Sequence, residues 1–156
     1  MKKDRVLKGV LILLSIVFLF CIKAFLFNNS RILDRQNNVS GVKLNENKAY
    51  YSKNDVALYL HTFKRLPKNY LTKNEAKKLG WDSSKGNLWK VTDKGVIGGD
   101  VFSNREGKLP KKDKYFEADV NYKGGKRGAA RLVFTKDGKV IYYTGDHYKN
   151  FEVLYE

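Results

Sequence analysis

The sequence predicts an α+β domain in which N-terminal helices pack on one face of a C-terminal antiparallel β-sheet. Three observations predict it. Apolar residues at helical spacing, with helix-capping signals beside them, are confined to about residues 52–91. From residue 96 the pattern changes to runs that alternate apolar and polar side chains. Short turns containing Gly and Asp then divide the remainder into segments of strand length.

The chain opens with Lys2, Lys3, Arg5 and Lys8 ahead of an apolar run, GVLILLSIVFLFCI, at residues 9–22. A basic leader before an apolar core shorter than the ~20 residues of a membrane span reads as a signal peptide. If Lys23 snorkels, AFLF extends the run and the same segment reads as an N-terminal membrane anchor. Residues 1–27 are therefore a signal peptide or an anchor, and both imply export. Residues 28–48 are polar and Asn-rich and read as a linker or pro-segment, leaving 49–156 as the folded domain.

Ser52, with Asp55 three residues on, opens a first helix carrying Val56, Leu60 and Phe63 on one face, and Leu66-Pro67 closes it. His61 lies on this helix with no catalytic-type constellation of acids and aromatics around it, and reads as structural or exposed. TKNEAKKLGW is the better-marked helix: Thr72 is its N-cap, Glu75 the capping-box partner and Gly80 the stop. Lys73 falls in the first turn, where a cation opposes the helix dipole. It is either a surface lysine or part of an anion site. NLWKV, capped by Asn87, gives a short third helix. VIGGDVF then leads into the turn-rich loop SNREGKLP. FEADVNY alternates Phe116, Ala118, Val120 and Tyr122 against Glu117, Asp119 and Asn121. AARLVF, KVIYYT and FEVLY complete the meander, with Asp137-Gly138 as one turn.

The formal net charge is +15, of which residues 1–30 carry +4 and the other 126 residues +11. A domain that basic favours polyanions: nucleic acid, an acidic membrane surface or an acidic protein. The only cysteine, Cys21, lies in the apolar leader. Disulfides and Cys-rich zinc sites are thereby excluded from the domain, whose stability must come from packing. If the strands around 115–122 and 127–134 pair through the KGG turn, Glu117, Asp119, Arg127 and Arg131 share the open face of the sheet. That face is either a salt-bridge ladder or a site, and His147 lies in the loop at the same end of the sheet.

Four blocks, LPKNYLTKNEAKKLGWDSSKGNL, IGGDVFSNREGKLP, EADVNY and DHY, resemble those of the barnase-like extracellular guanyl-preferring bacterial ribonucleases. The blocks are collinear over about residues 49–156, and one extra residue between Arg131 and His147 fits at the Gly138 turn. The resemblance implies the microbial ribonuclease fold, RNA as substrate and no cofactor or metal. It implies Glu117 as general base, His147 as general acid, and Lys73, Arg127 and Arg131 as the cations around the scissile phosphate. Phe102, Ser103, Asn104, Arg105 and Glu106 correspond to the guanine-binding loop, and Tyr148 to a substrate-contacting aromatic. Asp100 and Asp119 correspond to acids that hold the cations in place. An acidic intracellular inhibitor similar to barstar is implied as a partner, and a monomer is the simplest assembly. The competing reading is a cationic module that binds nucleic acid or membranes on the same fold.

Overall fold

Helix α1 (Lys53–Phe63) starts where the side chain of Ser52 accepts a hydrogen bond from the Asp55 backbone N–H. In the computed structural model residues 22–23 and 44–156 are described. The remainder of the leader predicted over 1–27, and residues 28–43 of the predicted linker, lie outside the described residues. Residues 44–48, assigned by sequence to the linker, belong instead to the compact unit Leu44–Glu156. Leu44 packs on the main core. The Tyr59 hydroxyl donates to the Glu46 carbonyl at 2.9 Å, and Arg65 pairs with the Glu46 carboxylate at 2.6 Å.

α1 ends at Phe63, earlier than Leu66-Pro67 suggests, because Lys64 turns left-handed (φ 57°) and its N–H closes on the Leu60 carbonyl. β1 (Tyr70–Leu71) and α2 (Lys73–Lys78) follow. Thr72 and Glu75 form the full reciprocal capping box. The other end is a Schellman closure: Trp81 N–H reaches the Ala76 carbonyl at 3.0 Å and Gly80 N–H the Lys77 carbonyl at 2.9 Å, with Gly80 at φ 92°. α3 (Leu88–Val91) has Asn87 at its N-cap without a side-chain cap bond. The Asn87 amide instead accepts from Asp82 N–H and donates to the Gly80 carbonyl, tying the preceding loop to the end of α2.

The sheet contains β2 (Val96–Phe102), β3 (Tyr115–Asp119), β4 (Arg131–Thr135), β5 (Ile141–Thr144) and β6 (Glu152–Tyr155). With β1 at the edge it is six-stranded in sequential order, β1-β2-β3-β4-β5-β6. The predicted antiparallel meander holds from β2 to β6, while β1 pairs parallel with β2. Two residues were too short a run for the alternation test to find. Gly98 admits β1: a Cβ there would lie 2.7 Å from the Tyr70 ring and 2.8 Å from the Ala118 side chain.

Strand parity then sorts the side chains. Ala118, Leu132, Phe134 and Ile141 face α1 and bury Val56, Ala57, Tyr59 and Leu60 in the main core. A second cluster joins Ala76, Trp81, Leu88, Val96, Ile97 and Tyr122, holding α2 and α3 against β2. On the opposite face Tyr115, Val133 and Tyr142 cluster with Leu109, and Glu117, Asp119 and Arg131 lie beside them in register. His61 is structural: its Nδ1 lies 3.1 Å from the Gly138 carbonyl, and its ring stacks on Tyr155 at 4.2 Å. Nothing in the local sequence pointed to that aromatic partner. Lys53 also reaches β6, pairing with Glu152 at 3.1 Å.

Gly138 and Gly125 test how closely the turns are packed. Both have positive φ, but a Cβ at Gly138 would stand 2.5 Å from the Leu60 carbonyl oxygen, whereas one at Gly125 meets nothing within 4 Å. Gly125→Ala should cost about 1–2 kcal/mol, for the left-handed backbone alone. Gly138→Ala should lose about 1–3 kcal/mol more from overpacking. Urea unfolding of the two variants checks this, and equal losses would contradict the packing at Gly138.

Candidate active site

A β-bulge sets the site up. The β2–β3 register shifts between Gly98 and Asp100, leaving Gly99 (φ 94°) as the extra residue. Beyond it, the Asp100 carboxylate accepts the backbone N–H of Lys73 at 2.9 Å. An acid at the positive end of α2 offsets the dipole that a first-turn lysine opposes. Asp100 thus holds the backbone of Lys73 rather than its ammonium group. The Lys73 ammonium turns to Glu117, 2.6 Å from Oε1.

Glu117 accepts a second hydrogen bond at Oε2, from the Tyr148 hydroxyl at 2.5 Å. Burial alone would raise its pKa. The hydrogen bonds from Lys73 and Tyr148 and the positive charges of Lys73 and Arg131 outweigh that and hold it below the ordinary 4.5. The same neighbourhood acts oppositely on Tyr148: burial and the Glu117 carboxylate push the phenol well above its usual 10.0. At neutral pH the pair is a carboxylate accepting from a neutral phenol.

Asp119, 3% exposed, anchors both arginines. Arg127 binds it through a two-pronged contact, Nε to Oδ2 at 2.6 Å and Nη2 to Oδ1 at 2.7 Å. Arg131 is equally buried and brings its Nε to 2.8 Å from Oδ1. That contact is an ion pair by distance but is poorly angled, and Nε has no hydrogen-bond partner. Arg131 Nη1 is satisfied by the carbonyls of Gly128 and Ala130, both at 2.8 Å. The predicted strand pairing of Arg127 is corrected. β4 begins at Arg131, because Asn121 turns to φ 58° and ends the β3 run. Arg127 therefore stands in the β3–β4 loop and reaches the shared face through its length, its guanidinium 5.9 Å above the Trp81 ring. Burial would lower the Arg127 pKa, but the Asp119 carboxylate raises it overall.

A cleft of about 430 Å³ opens over these groups. Lys73, Glu117, Arg127, Arg131, His147 and Tyr148 line one part. Phe102, Ser103, Asn104, Arg105 and Glu106 line the other. Asp100 and Asp119 support the wall from behind. Phe102 packs against Tyr148 with ring centroids 5.1 Å apart, and Phe151 closes on Phe102 at 6.2 Å. His147 is exposed, in the loop between β5 and β6. Asn104 differs from the other loop residues. Its side chain is spent on the loop itself, accepting from Leu109 N–H at 3.1 Å and donating to the Leu109 carbonyl at 2.8 Å. The Asn104 and Arg105 backbone N–H groups have no hydrogen-bond partner among the described residues.

Sequence reasoning missed Val101, Lys108 and Phe151 in this lining. Lys108 is the informative one. Its ammonium contacts the Glu106 carboxylate at 2.9 Å and the carbonyls of Tyr148 and Lys149 at 3.0 and 3.1 Å. It bridges the 103–109 loop and the 145–150 loop, a role that one lysine among many could not announce.

An acid, an imidazole and three cations around one open cleft suit the binding and cleavage of a phosphodiester. Comparison with known proteins names the polymer. Residues 43–155 match the ribonuclease family model, and the chain belongs to that family. It is 55% identical over 98 residues to a ribonuclease of Heyndrickxia coagulans, an alignment covering 62% of this chain and 89% of that one. Ribonucleases of Bacillus intermedius and Bacillus pumilus are also 55% identical over 98 residues, with 62% of this chain and 60% of theirs aligned. The family resemblance read from the four sequence blocks and the α+β fold are both borne out. The protein is an RNA-cleaving enzyme.

The lowered pKa of Glu117 has a direct consequence. A depressed carboxyl favours the folded state above its unfolded pKa, and that contribution fades as pH falls through the folded value. Tyr148→Phe removes one of the lowering hydrogen bonds, so the Glu117 pKa should rise toward the ordinary 4.5. NMR titration of the Glu117 carboxyl carbon checks this, and an unchanged or lower midpoint would contradict the contact.

Proposed function

We propose that this chain is a secreted endoribonuclease cleaving single-stranded RNA on the 3′ side of guanine. In this reading it acts without a metal, by transesterification through a 2′,3′-cyclic phosphate followed by hydrolysis. The observation that carries the reading is the single cleft in which Glu117, His147 and three cations adjoin the 102–106 loop.

The chemistry requires a base for the attacking 2′-OH and an acid for the departing 5′-oxygen. Glu117 is ionised at neutral pH and takes the base role. In the free enzyme its negative charge is matched by Lys73. When a phosphate draws Lys73 away, the carboxylate loses a partner that lowered its pKa and becomes the stronger base. His147 delivers a proton to the leaving oxygen, and in hydrolysis of the cyclic phosphate the two residues exchange roles. Negative charge on the equatorial oxygens of the pentavalent intermediate is met by Arg127, Arg131 and Lys73. Asp119 fixes the two guanidinium groups beforehand, so little reorganisation is needed.

Guanine offers an acceptor at O6 and donors at N1 and N2. The Asn104 and Arg105 N–H groups suit the first, and the Glu106 carboxylate suits the others. Lys108 holds the Glu106 pKa below its ordinary value, and yields the carboxylate when the base enters. DNA lacks the attacking 2′-OH and is bound without being cut. The basic surface adds phosphate affinity that weakens as salt rises. Export follows from the N-terminal segment, whether cleaved or retained as an anchor, and an acidic inhibitor in the producing cell would cover the cationic cleft.

The test uses a short RNA with one G, EDTA, and the wild type beside Glu117→Ala and His147→Ala. Cleavage after G with a cyclic phosphate end is expected, and each variant should lose about 10²–10⁴-fold. A folded wild type that binds the RNA without cutting it would favour a cationic binding module.

A further inference from the structure

Two adjacent non-glycine residues of the β5–β6 connection, His147 (φ 58°) and Tyr148 (φ 70°), hold left-handed backbone. Histidine enters this region more often than most residues, but tyrosine rarely does, and two in succession persist only where the surroundings over-determine them. With Phe151, these are the side chains the connection contributes to the cleft. Something must hold the backbone that aims them.

Asp146 does so. Its Oδ1 accepts from the Thr144 hydroxyl at 2.9 Å, from Lys149 N–H at 3.0 Å and from Asn150 N–H at 3.0 Å. Its Oδ2 accepts from the Asn150 side-chain amide at 2.7 Å. The Thr144 hydroxyl, buried at the end of β5, in turn accepts the Tyr148 N–H at 2.9 Å. One carboxylate thus ties the strand before the strained pair to the two residues after it. The four hydrogen bonds favour its ionised form and push its pKa far down. His147 N–H closes the arrangement on the Ala129 carbonyl at 3.3 Å, in the loop that carries Arg127.

We infer that Asp146 is the positioning residue of this site: its carboxylate cage holds His147 and Tyr148 in the backbone geometry from which they reach the cleft. The inference rests on reading His147 as the general acid. It also identifies what would fail. Both oxygens of Asp146 accept, so asparagine is not a substitute. In either amide orientation its NH₂ faces a donor, from Asn150 on one side or from Thr144 and two backbone N–H groups on the other. Exchanging the partners restores the pattern. With Asp146→Asn and Asn150→Asp together, the new amide donates to the new carboxylate while its oxygen keeps the Oδ1 contacts.

The experiment compares the full chain with Asp146→Asn, Asn150→Asp, the double exchange and His147→Ala. It reads kcat and KM on a guanine-containing dinucleoside phosphate, near-UV circular dichroism, and the His147 amide and ring resonances. Asp146→Asn should keep its fold and lower kcat about 10²-fold, the scale of a misplaced catalytic group, with a smaller change in KM. The double exchange should recover most of that loss and return the His147 resonances to their wild-type positions. A folded Asp146→Asn with wild-type kcat, or a folded double exchange with no recovery, overturns the inference. If His147→Ala stays active, the general-acid reading is what fails. The His147 resonances then decide alone: displaced in Asp146→Asn and restored in the exchange supports the cage, and unmoved overturns it.

Discussion

A carboxylate buried between two guanidinium groups is the constraint on which the site depends. Asp119 is buried on the cleft face of the sheet with Arg127 and Arg131 drawn to it. Burying three charges is costly, and removing one partner of such a set typically costs about 3–5 kcal/mol because the others are stranded. The arrangement is not there for stability alone. Two arginines and one aspartate leave a net positive charge, fixed in place and partly desolvated, at the floor of an open cleft. Water would otherwise have to be reorganised around an anion each time one arrived. Asp119 also binds the β3–β4 loop to the sheet, since Arg127 has no strand to hold it.

The remaining parts of the site are aimed by backbone devices. The Gly99 bulge brings Asp100 under the start of α2, which in turn sets Lys73 over Glu117. Asn104 spends its amide shaping the 104–109 loop. Lys108 fastens that loop to the carbonyls beside Tyr148. The 103–109 loop and the loop carrying His147 and Tyr148 are therefore mechanically connected through one ammonium group.

Signals local to a few residues were legible in the sequence. The Thr72–Glu75 capping box, the Gly80 stop and the alternation of β3 depend on neighbours in the chain, and each appears where expected. Glu117, Asp119 and Arg131 share a face because strand parity puts them there. Arg127 came to the same face by another route, since its strand was extended in sequence past the turn that Asn121 makes. What sequence could not supply depended on distant partners. β1 has two residues and exists only because Gly98 leaves room for it. Lys108 gains its place from carbonyls about forty residues away, and His61 meets Tyr155 only in the folded sheet.

That last contact, with the Lys53–Glu152 pair, ties the first helix to the final strand. The domain is closed like a ring whose clasp is β6. During synthesis α1 emerges well before β6 and the loop holding His147. Until β6 is in place, α1 lacks the aromatic and ionic partners that this strand gives His61 and Lys53.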